Sequence, residues 1–116
     1  MSSEARGWPL RLKDMIAAIK EIQAFTVGMG FTAFRDDPRT LKAVLWNLSV
    51  VGEAARHAPA EVLAAHPEVP WAPMRDMRNR ILHGYDTVDP GIVWQVVKAE
   101  LPPVLVVLER LAQEPR

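Results

Sequence analysis

Apolar residues recur along this chain at steps of three and four, the period of helices that bury one face. Leu12, Met15, Ile16, Ile19 and Ile22 open the pattern. They predict an amphipathic helix that starts near Pro9, a favoured first-turn residue, and stops at Gly28 and Gly30. Phe31, Ala33 and Phe34 predict a short helical turn. Asp37-Pro38 then reads as an N-cap followed by Pro at the first helical position. From there Leu41, Val44, Leu45, Leu48, Val51, Gly52 and Ala55 run down one face, and His57 and Pro59 close the helix. Gly52 weakens that helix by about 1 kcal/mol relative to Ala, which predicts a close helix–helix approach at this point. A short helix over Pro59–Ala65 follows. His66-Pro67 and Val69-Pro70 predict a bend, because a residue before Pro is pushed out of the helical region.

Trp71–Leu82 reads as the next helix, with Met74, Met77 and Ile81 as its stripe and Gly84 as its stop. Asp89-Pro90 repeats the N-cap device. The last helix carries Trp94, Val97, Leu101, Val104, Leu108 and Leu111, a heptad-like seam. Pro102-Pro103 predicts a kink rather than an end, because the seam continues in register beyond it. No segment alternates as a strand. The expected fold is an all-α bundle of about four main helices with one or two short ones, a single domain over 1–116.

Composition narrows the function. Lys+Arg and Asp+Glu are 14 each, so the formal net charge is zero. That argues against a generic nucleic-acid coat protein but leaves room for a local basic site. The chain has no Cys, which removes disulfides, Cys zinc sites and thiol catalysis. A core of this size gains from dimerisation. Met1–Gly7 has no apolar run of the kind a signal peptide carries. No strictly apolar run is longer than that of Val104–Leu108, which is far short of the roughly 20 residues of a membrane helix. The cytoplasm is the default location, with no membrane partner expected.

Candidate chemistry is sparse. His57, His66 and His83 lack metal-ligand spacing, so no metal site is expected. No Gly-rich phosphate loop is present, and no cofactor is expected. Of Ser2, Ser3 and Ser49, the last falls among core positions, which leaves no nucleophilic triad. The dense stretch is Arg75-Asp76-Met77-Arg78-Asn79-Arg80-Ile81-Leu82-His83-Gly84-Tyr85, with three arginines in six residues followed by a His and the only Tyr. One reading is a solvated helix face with a capping His. The other is chemical. A His at a helix C-terminus can move protons near neutrality. An Arg can hold a phosphate and steady the charge on phosphoryl oxygens. Together they can cleave RNA without a metal, using the ribose 2′-OH as nucleophile. On a continuous helix, Arg78 and His83 stand roughly 140° apart. They converge only if the helix unwinds near His83 or if a second copy of the chain supplies the complementary residue.

At these residues the chain resembles the HepT-like toxins of the HEPN superfamily, small all-α ribonucleases of prokaryotic toxin–antitoxin pairs. The branch motif R-x-x-x-x-H-x-Y reads here from Arg78 through His83 to Tyr85. Shuffling this composition gives about 0.8 bare Arg/His pairs but only about 0.007 with the single Tyr in place. The likeness covers about residues 9–112. Leu45–Ala55 is similar to the family's N-L-x-x-x-G-E-A helix, His66–Trp71 to its H-P-x-[IV]-P-W turn, and Val88-Asp89, Ile92–Trp94 and Leu101-Pro102 to the stretch opening its last helix. The family is expected to carry one Pro where this chain has Pro102 and Pro103.

The resemblance implies a HEPN helical bundle and a homodimer whose two motifs face one cleft. It implies cleavage of RNA, with tRNA or mRNA as targets in different members. It also implies a minimal nucleotidyltransferase antitoxin as partner, in a type VII-like pair. Arg78 and His83 map onto the catalytic pair and Asn79 onto the supporting polar position. Arg75 and Arg80 are the expected RNA-binding side chains. Tyr85 maps onto the tyrosine that the antitoxin modifies with AMP. Glu53 and Asn47 match the helix motif without an assigned role; Glu53 pairing with a motif Arg and Glu53 as a structural cap both stand. The alternative function is a non-catalytic, nucleotide-binding or accessory subunit of a nucleotidyltransferase.

Overall fold

The computed structural model describes residues 3–114. Met1 and Ser2, part of the segment read for a leader, lie outside the described residues. Helix α1 spans Ser3–Thr26, α2 Phe31–Arg35, α3 Pro38–Ala55, α4 Ala60–Ala65 and α5 Trp71–Gly84. A 3-10 turn over Tyr85–Thr87 leads to α6 (Pro90–Gln95), which continues through a π-helical turn (Val96–Glu100) into α7 (Leu101–Gln113). The described residues contain no strand. The architecture is an all-α bundle whose long members are α1, α3, α5 and the continuous Pro90–Gln113 helix.

The predicted periodic faces form the core. Met15, Ile19 and Ile22 of α1, Val44 and Val51 of α3, and Val93, Leu101 and Leu108 of the last helix are almost wholly excluded from solvent. Helix α3 is central, packing against α1 on one side and α5 on the other, while α7 packs on α1. Asp37 caps α3 as its sequence predicts. Its carboxylate accepts from the Thr40 amide at 3.2 Å and from the Thr40 hydroxyl at 2.7 Å. Those hydrogen bonds favour the ionised form and hold the Asp37 carboxyl below its ordinary pKa. Asp89 caps α6, accepting from the Gly91 amide at 2.8 Å.

Three boundaries differ from the expectation. Helix α1 begins at Ser3, so Pro9 sits inside it rather than at its start. The cause is tertiary: Trp8 is buried edge-on against Trp71 of α5, ring centroids 6.1 Å apart, which anchors the turn before Pro9. Gly84 ends α5 in an extended conformation (φ 173°), whereas the left-handed glycine is Gly28 (φ 77°) after α1. The disturbance expected at Pro102-Pro103 takes the form of the π-helical turn just before them. Two prolines in succession remove two amide donors, and a widened turn accommodates the carbonyls they leave behind.

The Pro90–Gln113 helix is long and apolar enough, with mean hydropathy 1.5, to cross a membrane. The longest strictly apolar run did not reveal this. Its Val93, Val97, Leu101, Val104 and Leu108 face is packed inside the bundle, and 33% of its most apolar window is buried.

Candidate active site

The site begins with the glycine on α3. A Cβ added to Gly52 would collide with the Cβ of Arg78 and stand 2.5 Å from the carbonyl oxygen of Met74. Gly52 is therefore the point where α5 crosses α3 backbone to backbone, as its place on the buried face predicts. Bulk at that position would push Arg78 away.

Glu53 follows Gly52 and uses that proximity. Its Oε1 lies 3.1 Å from Nη2 of Arg78 and 3.4 Å from Nε of Arg56, and its Oε2 lies 3.5 Å from Nε2 of His57. Oε1 is buried and accepts no well-aligned hydrogen bond, so the contacts to the two guanidinium groups are ionic rather than directional. Nη1 of Arg78 donates to Oδ1 of Asn79 at 3.0 Å. Asn47, the other polar residue of that helix motif, has a different use. It is buried, and its Nδ2 donates to Glu21 Oε1 at 3.1 Å and to the Ala43 carbonyl at 3.2 Å, tying α3 to α1.

Arg78 and His83 open onto different grooves. Arg78 lines one of about 260 Å³ between α1, α3 and α5, together with Arg11, Asp14, Trp46, Glu53 and Leu82. His83 is exposed and lines a larger groove of about 570 Å³ with Asp76, Asn79, Arg80 and Thr87. Helix α5 stays α-helical through His83 to Gly84, so the two side chains keep their angular separation of roughly 140°. Unwinding near His83, one of the two ways the pair could converge, does not occur. Asn79 spans the gap: it accepts from Arg78 on one side and lines the His83 groove on the other.

The remaining expected site residues divide between these surfaces. Arg80 lines the His83 groove, while Arg75 is half-buried and lines neither groove. Tyr85 is 53% exposed and opens on the Arg78 side, in a trough shared with Lys42, Trp46 and Leu82. Trp46 and Leu82 border both that trough and the Arg78 groove, which makes the two neighbours. Arg11 and Lys42 carried no sequence signal, since each is one basic residue on the polar side of an amphipathic helix. Among the described residues no three acidic or His side chains gather as a metal site; His57 and His66 each lie beside a single carboxylate, Glu53 and Glu68.

The fold is an all-α bundle in which α5 carries Arg78, Asn79 and His83. The family model described as "Ribonuclease HepT-like" matches residues 15–111, which include the whole motif. The chain belongs to this family, and ribonuclease activity is its assignment. It is 36% identical over 100 residues to a protein of Thermococcus cleftensis named "Probable ribonuclease HepT", covering 86% of this chain and 91% of that one. It is 32% identical over 103 residues to a protein of Methanocaldococcus jannaschii whose name also gives it as an RNase, covering 89% and 85%. No solved structure matches the chain significantly.

Proposed function

We propose that this ribonuclease is the toxin of a HEPN/minimal-nucleotidyltransferase pair, a cytoplasmic endoribonuclease that acts on tRNA or mRNA as a homodimer. The observation that carries the reading is the placement of Arg78, Asn79 and His83 along one helix, with Arg78 and His83 on different grooves of one protomer. A second protomer brings the missing half: Arg78 of one copy and His83 of the other meet across a shared cleft. His83 moves the protons. The 2′-oxygen of the substrate attacks the neighbouring phosphorus, the bond from phosphorus to the 5′-oxygen breaks, and the proton lost by the 2′-OH is matched by one gained at the 5′-oxygen. Arg78 stabilises the charge on the phosphoryl oxygens, and Arg75 and Arg80 contribute to RNA binding. The products are a 2′,3′-cyclic phosphate and a 5′-hydroxyl.

In the same reading Tyr85 is the control point. Adenylyl transfer from a nucleoside triphosphate to its phenolic oxygen, with loss of pyrophosphate, adds a phosphodiester in the trough beside the Arg78 groove. The added negative charge competes for Arg78 and repels an incoming RNA backbone. Two measurements test the proposal. Purified protein incubated with total tRNA in EDTA should give fragments ending in cyclic phosphate and should leave DNA intact. Intact-mass spectrometry after co-expression with a minimal nucleotidyltransferase encoded beside it should find AMP increments on the Tyr85 peptide. Uncut RNA under all conditions would leave the non-catalytic accessory-subunit reading in its place. Full inhibition without an AMP increment would replace modification by occlusion.

A further inference from the structure

We propose that Glu53 is a positioning residue for RNA cleavage: it holds the Arg78 guanidinium in the orientation that meets the scissile phosphate. This rests on Arg78 being the phosphate-binding half of the site.

The clamp has two jaws. Glu53 meets Nη2 at 3.1 Å from α3, and Asn79 accepts from Nη1 at 3.0 Å from α5 itself. A guanidinium carries five N–H donors in a rigid plane, so the hydrogen bond to Asn79 directs one nitrogen, the ionic contact with Glu53 holds the other close to α3, and donors remain for a substrate. The base of the side chain is fixed as well, because the Gly52 crossing brings Cβ of Arg78 onto the α3 backbone. A long, rotamer-rich side chain is thus ordered before RNA arrives, and that ordering is a cost the reaction no longer meets.

The environment of Glu53 also allows Arg78 to turn toward a phosphate. Removing a cation from a half-buried carboxylate is ordinarily expensive, because it leaves a bare charge. Here Arg56 and His57 lie 3.4 and 3.5 Å from the same carboxylate. Arg56 keeps it compensated when Arg78 shifts. Oε1 makes an ionic contact with no aligned hydrogen bond, so the jaw holds Arg78 in place without saturating its donors.

A plain tie between α3 and α5 makes different predictions, and the test separates the two roles. In the full-length protein, Glu53→Gln should lower kcat by about 10–100-fold with KM within about threefold, since misplacing a catalytic group acts on the chemical step. Glu53→Asp, which keeps the charge on a shorter arm, should recover part of the loss. Side-chain 15N relaxation should show the Nε–H of Arg78 ordered in the parent and mobile in Glu53→Gln. Unchanged kcat in a folded Glu53→Gln protein, or a rise in kcat, would overturn the proposal, as would an Arg78 equally mobile in both proteins. The relaxation arm does not need activity. RNA left uncut by the parent, together with Arg78 order that depends on Glu53, would sink the nuclease reading and with it the role in cleavage, and would leave Glu53 as the group that orders Arg78.

Discussion

The two halves of the Arg78–His83 motif share one helix and have opposite surroundings. Arg78 is half-buried, seated on the Gly52 crossing and held between Glu53 and Asn79. His83 is exposed at the last turn of α5, on a groove more than twice as large. One half is organised within a single protomer, by contacts between helices distant in sequence. The other is merely presented. A phosphate-holding Arg benefits from being fixed in advance, whereas a proton-moving His has to reach whatever atom the substrate offers. The contrast is what the proposed shared cleft requires, since one copy of the chain holds Arg78 and His83 on different grooves. Preorganisation has been spent on the half that a protomer can build alone.

The largest effects should come from deleting either half. His83→Ala and Arg78→Ala should each reduce RNA cleavage by about 10²–10⁴-fold, the usual contribution of an acid–base or charge-stabilising group. Circular dichroism should stay helical in both. His57→Ala should matter far less, although His57 lies beside Glu53. Full activity in His83→Ala would remove the proton-transfer role.

Mixing those two inactive proteins sharpens the comparison. If a site takes Arg78 from one protomer and His83 from the other, each mixed dimer regains one intact site. Co-refolding equal amounts should then restore about a quarter of parent activity, since half the dimers are mixed and each carries one good site of two. A site complete within one protomer predicts no recovery. A single monomeric mass by light scattering at micromolar concentration would overturn the shared cleft altogether.

Gly52→Ala attacks the organised half at its foundation. The added methyl meets the Met74 carbonyl and the Cβ of Arg78, neither of which is the far end of a flexible chain. Overpacking of this kind costs about 1–3 kcal/mol, readable by urea unfolding. Cleavage should fall further than stability requires, because α5 must shift and carry Arg78 out of reach of Glu53. A protein as stable and active as the parent would mean that the helices do not approach as closely as described.

Most of this fold was legible because its determinants are local. The caps at Asp37 and Asp89, and the steps of three and four that place Met15, Val51 and Leu108 inside, need no knowledge of distant residues. The start of α1 was not legible, because the Trp8–Trp71 contact joins residues far apart in the chain. The candidate site shows the same division. Arg78, Asn79, His83 and Tyr85 could be picked out by spacing and resemblance. The Glu53–Arg78 contact was visible only as an open alternative, since nothing in spacing shows which face of α3 meets α5. The separation of Arg78 and His83 onto two grooves followed from helical geometry once α5 was known to continue past His83.

The smallest effect concerns the arginines beside the motif and tests whether the His83 groove receives RNA. Arg80 is exposed in that groove, whereas Arg75 is half-buried and lines neither groove. Arg80→Ala should raise KM by about three- to tenfold with kcat nearly unchanged, as expected for a phosphate contact that binds ground state and transition state alike. It should also flatten the dependence of log affinity on log salt by about 0.7 of a unit, the slope of one phosphate contact on a single strand. Arg75→Ala should weaken binding less. Equal effects of the two variants would mean that RNA is attracted by the general charge of α5 rather than seated in the groove. A larger effect from Arg75 would move the RNA path to the other side of the helix, and the contrast between the two halves of the motif would have to be drawn the other way round.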